Sequence, residues 1–147
     1  MMIEYIIDLW IIIDHGTLIF NKTDTLDIDD QCFGGLLSAF YSFTHTLHET
    51  LFKFYTDKYR YYIIKQDGIL FAGRFSLEKI PSEKNILKEL SEIRKRFFQR
   101  YSIEEIENWD HDISKFADFQ DHIKPKNELI GNFLEQSWDH SLNKNQI

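Results

Sequence analysis

The chain has 147 residues and a net charge of −7. That balance argues against a nucleic-acid binder, because counterion release needs a basic surface. Its one cysteine, Cys32, excludes an intrachain disulfide and fits a reducing, cytoplasmic compartment. No run approaches the ~20 apolar residues of a membrane span. The apolar opening MMIEYIIDLWIII carries Glu4 and Asp8 and lacks the basic start and small-residue cleavage site of a signal peptide. A single domain of this length buries roughly 70% of its unfolded surface. Thirteen Phe and seven Tyr supply a ring-rich core and enough rings for one exposed aromatic patch.

Residues 3–13 are apolar at nearly every position, which predicts a central strand buried on both faces. Asp14, His15 and Gly16 form a turn, and residues 17–22 form the second strand of a hairpin. A helix is expected to start near Asp27 or Asp29, whose acids suit the first turn. Its expected buried face is Ile28, Cys32, Phe33, Leu36, Phe40, Phe43 and Leu47, at spacings of three and four. Cys32 is then a small buried hydrophobe. Gly34 and Gly35 each cost about 1 kcal/mol of helix propensity relative to Ala, so they imply close backbone approach.

Three strands follow, at 50–56, 59–65 and 69–75, joined by the Asp57-Lys58 and Gln66-Asp67-Gly68 turns. Gly73 marks a bulge or a close approach. Ser82 is the N-cap of a second helix. Its buried stripe is Ile86, Leu87, Leu90, Ile93, Phe97, Phe98 and Tyr101. Its wet face is Lys88, Glu89, Glu92, Lys95 and Arg96, with Glu92 and Arg96 as an i,i+4 pair. Ser102 and Glu105 read as a capping box. Ile113, Phe116, Ala117, Gln120 and Ile123 give a third helical pattern, closed by Pro125. Leu129, Ile130, Phe133, Leu134 and Trp138 give a fourth. The fold class is therefore α+β: a five-stranded antiparallel sheet with helices on both faces, in the order β-β-α-β-β-β-α-α, plus an extra C-terminal helix.

This order resembles the longin domain. LWIIIDHGTLIF (9–20) looks like its first hairpin, FGGLLSAFYSF (33–43) like its first helix, and YRYYIIKQDGILFAG (59–73) like its fourth and fifth strands. The Ile- and Lys-rich composition is similar to that of stand-alone longin-like proteins of Asgard archaea. The resemblance implies a longin-like domain over residues 1–124 and a C-terminal helical arm with a frayed tail over 125–147. It also implies a non-enzymatic adaptor, forming homo- or heterodimers and binding small Ras-like GTPases or subunits of a vesicle-trafficking-type complex. Roadblock and profilin domains have a similar sheet but begin with a helix. A roadblock-like GTPase-regulating dimer therefore stands as an alternative, with the fourth helix in that place. A PAS-like small-molecule sensor is another, and needs a cavity between sheet and helix.

No catalytic signature is present. There is no phosphate loop, because Gly34-Gly35 lacks its context, and no G-x-S-x-G. Cys32 and His45 lie about 20 Å apart along one helix, too far to act as nucleophile and base. His45 and His48 could offer two metal ligands, but the expected reading is an exposed helix end. The Trp-Asp-His triplets holding His111 and His140 are expected to be loops anchored by Trp109 and Trp138. No cofactor or metal is expected, and a hydrolase built on these histidines is the weakest alternative. The second and third strands should be the sheet edges, and an edge can pair with another chain. The candidate interaction residues are Phe52, Phe54, Tyr55 and Tyr59 on and beside the third strand, and Phe133 and Trp138 in the arm.

Overall fold

The computed structural model describes residues 3–13, 16–23, 30–78 and 81–123. The long apolar stretches become inner strands. β1 (Asp8–Ile13) and β5 (Ile69–Ser76) are buried at all but their last residues, as strands covered on both faces must be. With β2 (Thr17–Lys22), β3 (Lys53–Tyr55) and β4 (Tyr59–Gln66) they form an antiparallel sheet of order β2-β1-β5-β4-β3. β2 and β3 are thus its edges. Successive side chains of β1 and β5 feed two cores. Leu9, Ile11, Ile69 and Phe71 join α2 (Glu83–Arg100) and a 3-10 helix (Ile113–His122). Trp10, Ile12, Leu70 and Ala72 join α1 (Asp30–Thr46). Ile106 of α3 (Ile103–Glu107) packs against the α2-side core. The fold is the expected α+β class. The arm at 125–147 and the turn residues Asp14 and His15 lie outside the described residues.

Local signals act where the sequence places them. Ser82 caps α2 by accepting from the Asn85 amide at 3.2 Å. Ser102 and Glu105 form the capping box of α3, and Arg96 donates to Glu92 at 3.1 Å. A Cβ on Gly73 would lie 2.9 Å from Ile6 Cδ1, so that glycine marks a close approach. Trp109 is buried, and its indole N–H donates to the Asp112 carbonyl at 2.8 Å.

Three expectations change. The first strand is shorter: it starts at Asp8, while the Ile7 amide still donates to the Arg74 carbonyl at 2.8 Å and Ile3 and Ile6 stay buried. The third strand contracts to Lys53–Tyr55. The third helical pattern forms a 3-10 helix that buries Phe116, Phe119 and Ile123 and leaves Ile113 exposed. Arg100 and the Tyr101 hydroxyl both donate to Asp118, tying that helix to α2.

The largest departure on α2 is Glu89. Expected on the wet face, it is fully buried. Its carboxylate accepts the amides of Glu4 at 2.6 Å, Tyr5 at 3.0 and 3.1 Å, and Ile6 at 2.7 Å. These amides leave the ladder, so a side chain supplies the acceptors that buried backbone requires. Burial pushes the Glu89 carboxyl above its ordinary value of 4.5, while the three amide bonds pull it back.

Glu89→Ala should cost about 3 kcal/mol in urea unfolding, because it strands buried amides. Hydrogen exchange at residues 4–6 should accelerate with it. The folded state holds the Glu89 proton more tightly than the unfolded chain does. Stability relative to Glu89→Gln should therefore rise as pH falls through the window just above 4.5. Asp118 behaves in the opposite sense. Tyr101 and Arg100 hold its carboxyl below the ordinary 3.8, so its contribution is complete above that value and is lost as pH falls further. A wild-type pH profile parallel to that of Glu89→Gln above 4.5 would count against the buried-carboxylate account.

Candidate interaction surface

The rotation of α1 is set by backbone contact. Gly16 has φ +88°, and a Cβ there would lie 2.8 Å from Gly35 Cα. A Cβ on Gly34 would lie 2.8 Å from the Gly16 carbonyl oxygen. The helix therefore presses its glycine side onto the start of β2. Gln31 braces the same place, accepting from the Leu18 amide at 3.1 Å and donating to its carbonyl at 2.9 Å. This orientation turns Leu37 fully inward and Phe33 and Tyr41 partly so. Phe33 meets the buried Trp10 ring, with centroids 4.4 Å apart.

The stripe expected inside consequently faces out. Leu36 is 69% exposed, Phe40 45%, Phe43 60% and Leu47 53%. Cys32 is exposed as well, and only Phe33 of the expected set is partly buried. Ile28 lies outside the described residues. From Gln31 to His48 the sequence has no Asp, Glu, Lys or Arg. From Gln31 to the end of α1 the exposed face is thus free of formal charge and carries Leu36, Phe40 and Phe43.

The β3 edge continues this face. Phe54 stacks on Tyr61 at 4.6 Å with planes 6° apart, and its ring lies 6.4 Å from Phe40. Phe52 is exposed, with Lys53 Nζ 5.2 Å from its ring centre. Tyr55 is exposed too. Lys53 reaches Glu83 of α2 at 3.1 Å, so one strand touches both layers. Among the described residues β3 pairs only with β4, which leaves its outer backbone groups open to another strand. Of the candidate residues, Phe52, Phe54 and Tyr55 gather at this edge. Tyr59 lies half-buried beneath the Arg74 guanidinium at 4.0 Å, and Arg74 is ion-paired with buried Asp8. Phe133 and Trp138 lie outside the described residues. Sequence reading missed Leu36, Phe40, Phe43 and Leu47 as surface residues. The available signal was the second apolar stripe on the same helix.

Among the described residues no three His, Cys, Asp or Glu side chains are placed to hold a metal ion. His45 and His48 are exposed at the end of α1, and His111 leans on Trp109 at 5.2 Å. His140 lies outside the described residues. Beneath α1 the space is filled by Trp10, Leu37, Ile63 and Leu70. A cavity of about 170 Å³ remains at its margin, beside Tyr41 and Lys65. Among the described residues no helix is long and apolar enough to cross a membrane.

A five-stranded antiparallel sheet opened by a hairpin, crossed by one long helix and backed by a second, defines a longin/roadblock-like fold. Among solved structures the chain is similar to Myxococcus xanthus MglB, with a TM-score of 0.50 and 17% identity, over 64% of this chain and 85% of that one. No protein-family model matches the chain, and no curated protein matches its sequence significantly.

The glycine contact makes a paired prediction. Gly34→Ala drives a methyl into backbone and should cost about 1–3 kcal/mol. Gly35→Ala meets nothing within 4 Å and should stabilise by up to about 1 kcal/mol through helix propensity. Thermal unfolding of the two variants checks the helix rotation directly, since the opposite rotation reverses their order.

Proposed function

We propose that this chain is a non-enzymatic, cytoplasmic adaptor of the longin/roadblock kind. It pairs with a second copy, or with a like-folded subunit, through the outer face of α1 and the β3 edge. In that paired form it engages a small Ras-like GTPase or a subunit of a trafficking-type complex. One observation carries the reading: a charge-free apolar helix face runs beside an open edge strand. Exposed apolar patches of this kind mark protein contacts, and strand addition supplies the direction that a greasy face alone lacks. The chain's −7 net charge disfavours contact between two copies through charged faces, so an uncharged stripe is where they can meet.

The likeness to MglB, a GTPase-regulating protein of roadblock/longin fold, supports the partner class at the level of fold alone. A PAS-like sensor is less favoured, because it needs room where Trp10 and Leu37 pack.

Light scattering on the purified chain, alone and with small GTPases from its own genome in GDP and GTP states, tests the reading. The wild type should exceed monomer mass or shift with a GTPase. Leu36→Asp combined with Phe43→Asp should weaken self-association about a hundredfold or more. At concentrations where both chains are monomeric the melting temperature should hold, since both side chains are exposed in the single chain. A wild type that stays monomeric and ignores every GTPase tested would overturn the proposal.

A further inference from the structure

The α2 side of the molecule carries a second surface of different chemistry. A groove of about 210 Å³ lies between the β4–β5 turn and α3, lined by Asp67, Ile69, Phe98, Ile103, Ile106 and Glu107. Its apolar surface comes from three elements. Ile69 is buried at the start of β5, Phe98 and Ile106 are half-buried, and Ile103 is 44% exposed. Its carboxylates are Asp67 in the tight turn and Glu107 at the end of α3. Asp67 holds φ +51° and accepts only a 3.3 Å bond from neighbouring Gln66. Among the described residues neither Asp67 nor Glu107 has a cationic partner. Lys115 is paired instead with Glu105 of α3 at 3.6 Å. An apolar trough whose lining also includes two carboxylates matches a side chain that is aliphatic along its stem and cationic at its tip.

We propose that this groove receives a lysine or arginine side chain of a partner protein. The methylenes lie along Phe98, Ile103 and Ile106, and the cation sits between Asp67 and Glu107. The negative surface steers a basic partner towards it, and the trough gives the stem a reason to stay. The site is separate from the α1 face, since α1 and α2 pack against different cores. The chain would then meet two partners at once, an uncharged one at α1 and a basic one here.

The probe is n-butylguanidinium, followed by amide chemical shifts of the nitrogen-15-labelled chain. n-Butanol supplies the same stem without charge, and guanidinium the charge without a stem. The expected result is saturable shifts at residues 67, 103, 106 and 107 with n-butylguanidinium alone. Asp67→Asn with Glu107→Gln should weaken that binding about tenfold and leave the remaining spectrum in place, since Asn tolerates the positive φ. The Leu36→Asp, Phe43→Asp variant should bind the probe as the wild type does, whatever its oligomeric state. Equal shifts with n-butanol would overturn the proposal. So would guanidinium matching n-butylguanidinium, or unchanged binding in the Asn/Gln variant.

Discussion

The contact between Gly16 and the Gly34-Gly35 pair decides more about this molecule than its size suggests. It is backbone against backbone, with under 3 Å available to any added methyl on Gly16 or Gly34. α1 is apolar on more than one side, so burial alone could not fix its rotation. Once the glycine side is seated on β2, Leu37 falls inward and Leu36, Phe40 and Phe43 must face out. The exposed stripe is therefore a geometric result of the seat. The stripe's position beside β3 follows from the same rotation, because Phe40 is brought to Phe54.

This explains which parts of the fold were legible. The order of elements along the chain and the caps at Ser82 and Ser102 follow from apolar runs, turn residues and cap chemistry, all of which are local; the two edge strands follow from the sheet that the resemblance implies. The direction in which α1 turns is not local. Residues 33, 37 and 41 and residues 32, 36, 40, 43 and 47 are both regular helical stripes, and periodicity gives no means of choosing between them. Only the approach of Gly16, from another element, breaks the tie. Glu89 was misread for a related reason. A carboxylate among Lys88, Glu92 and Arg96 looks solvated until amides from residues 4–6 arrive to satisfy it. Phe119 carried a plain aromatic signal, but the 3-10 turn shifts its spacing away from the pattern of an α-helix.

The two faces of the sheet carry different kinds of surface. On the α1 side the exposed helix face is neutral, so attraction there comes from area and from open strand hydrogen bonds. On the α2 side the apolar surface is broken up by charge: Lys53 is tied to Glu83, Arg100 to Asp118 and Lys115 to Glu105. The first kind of surface tolerates salt. The second is screened within about 8–10 Å at ordinary ionic strength. The two surfaces therefore share no residues and respond differently to salt.

The Glu89 latch also has a consequence for how the chain is made. Its donors and acceptor are separated by 83 to 85 positions, and β1 needs β5 at its other side. Chain elongation proceeds at about 5–20 residues per second. The apolar run from Ile3 to Ile13 therefore leaves the ribosome seconds before the elements that enclose it. During that interval it is an unpaired β-rich segment, the kind of stretch that chaperones hold. The hairpin partner β2 follows within a few residues and can shield one edge early. The Glu89 carboxylate is made 83 to 85 positions after the amides that it accepts, so this latch, unlike the local hairpin, must wait for α2.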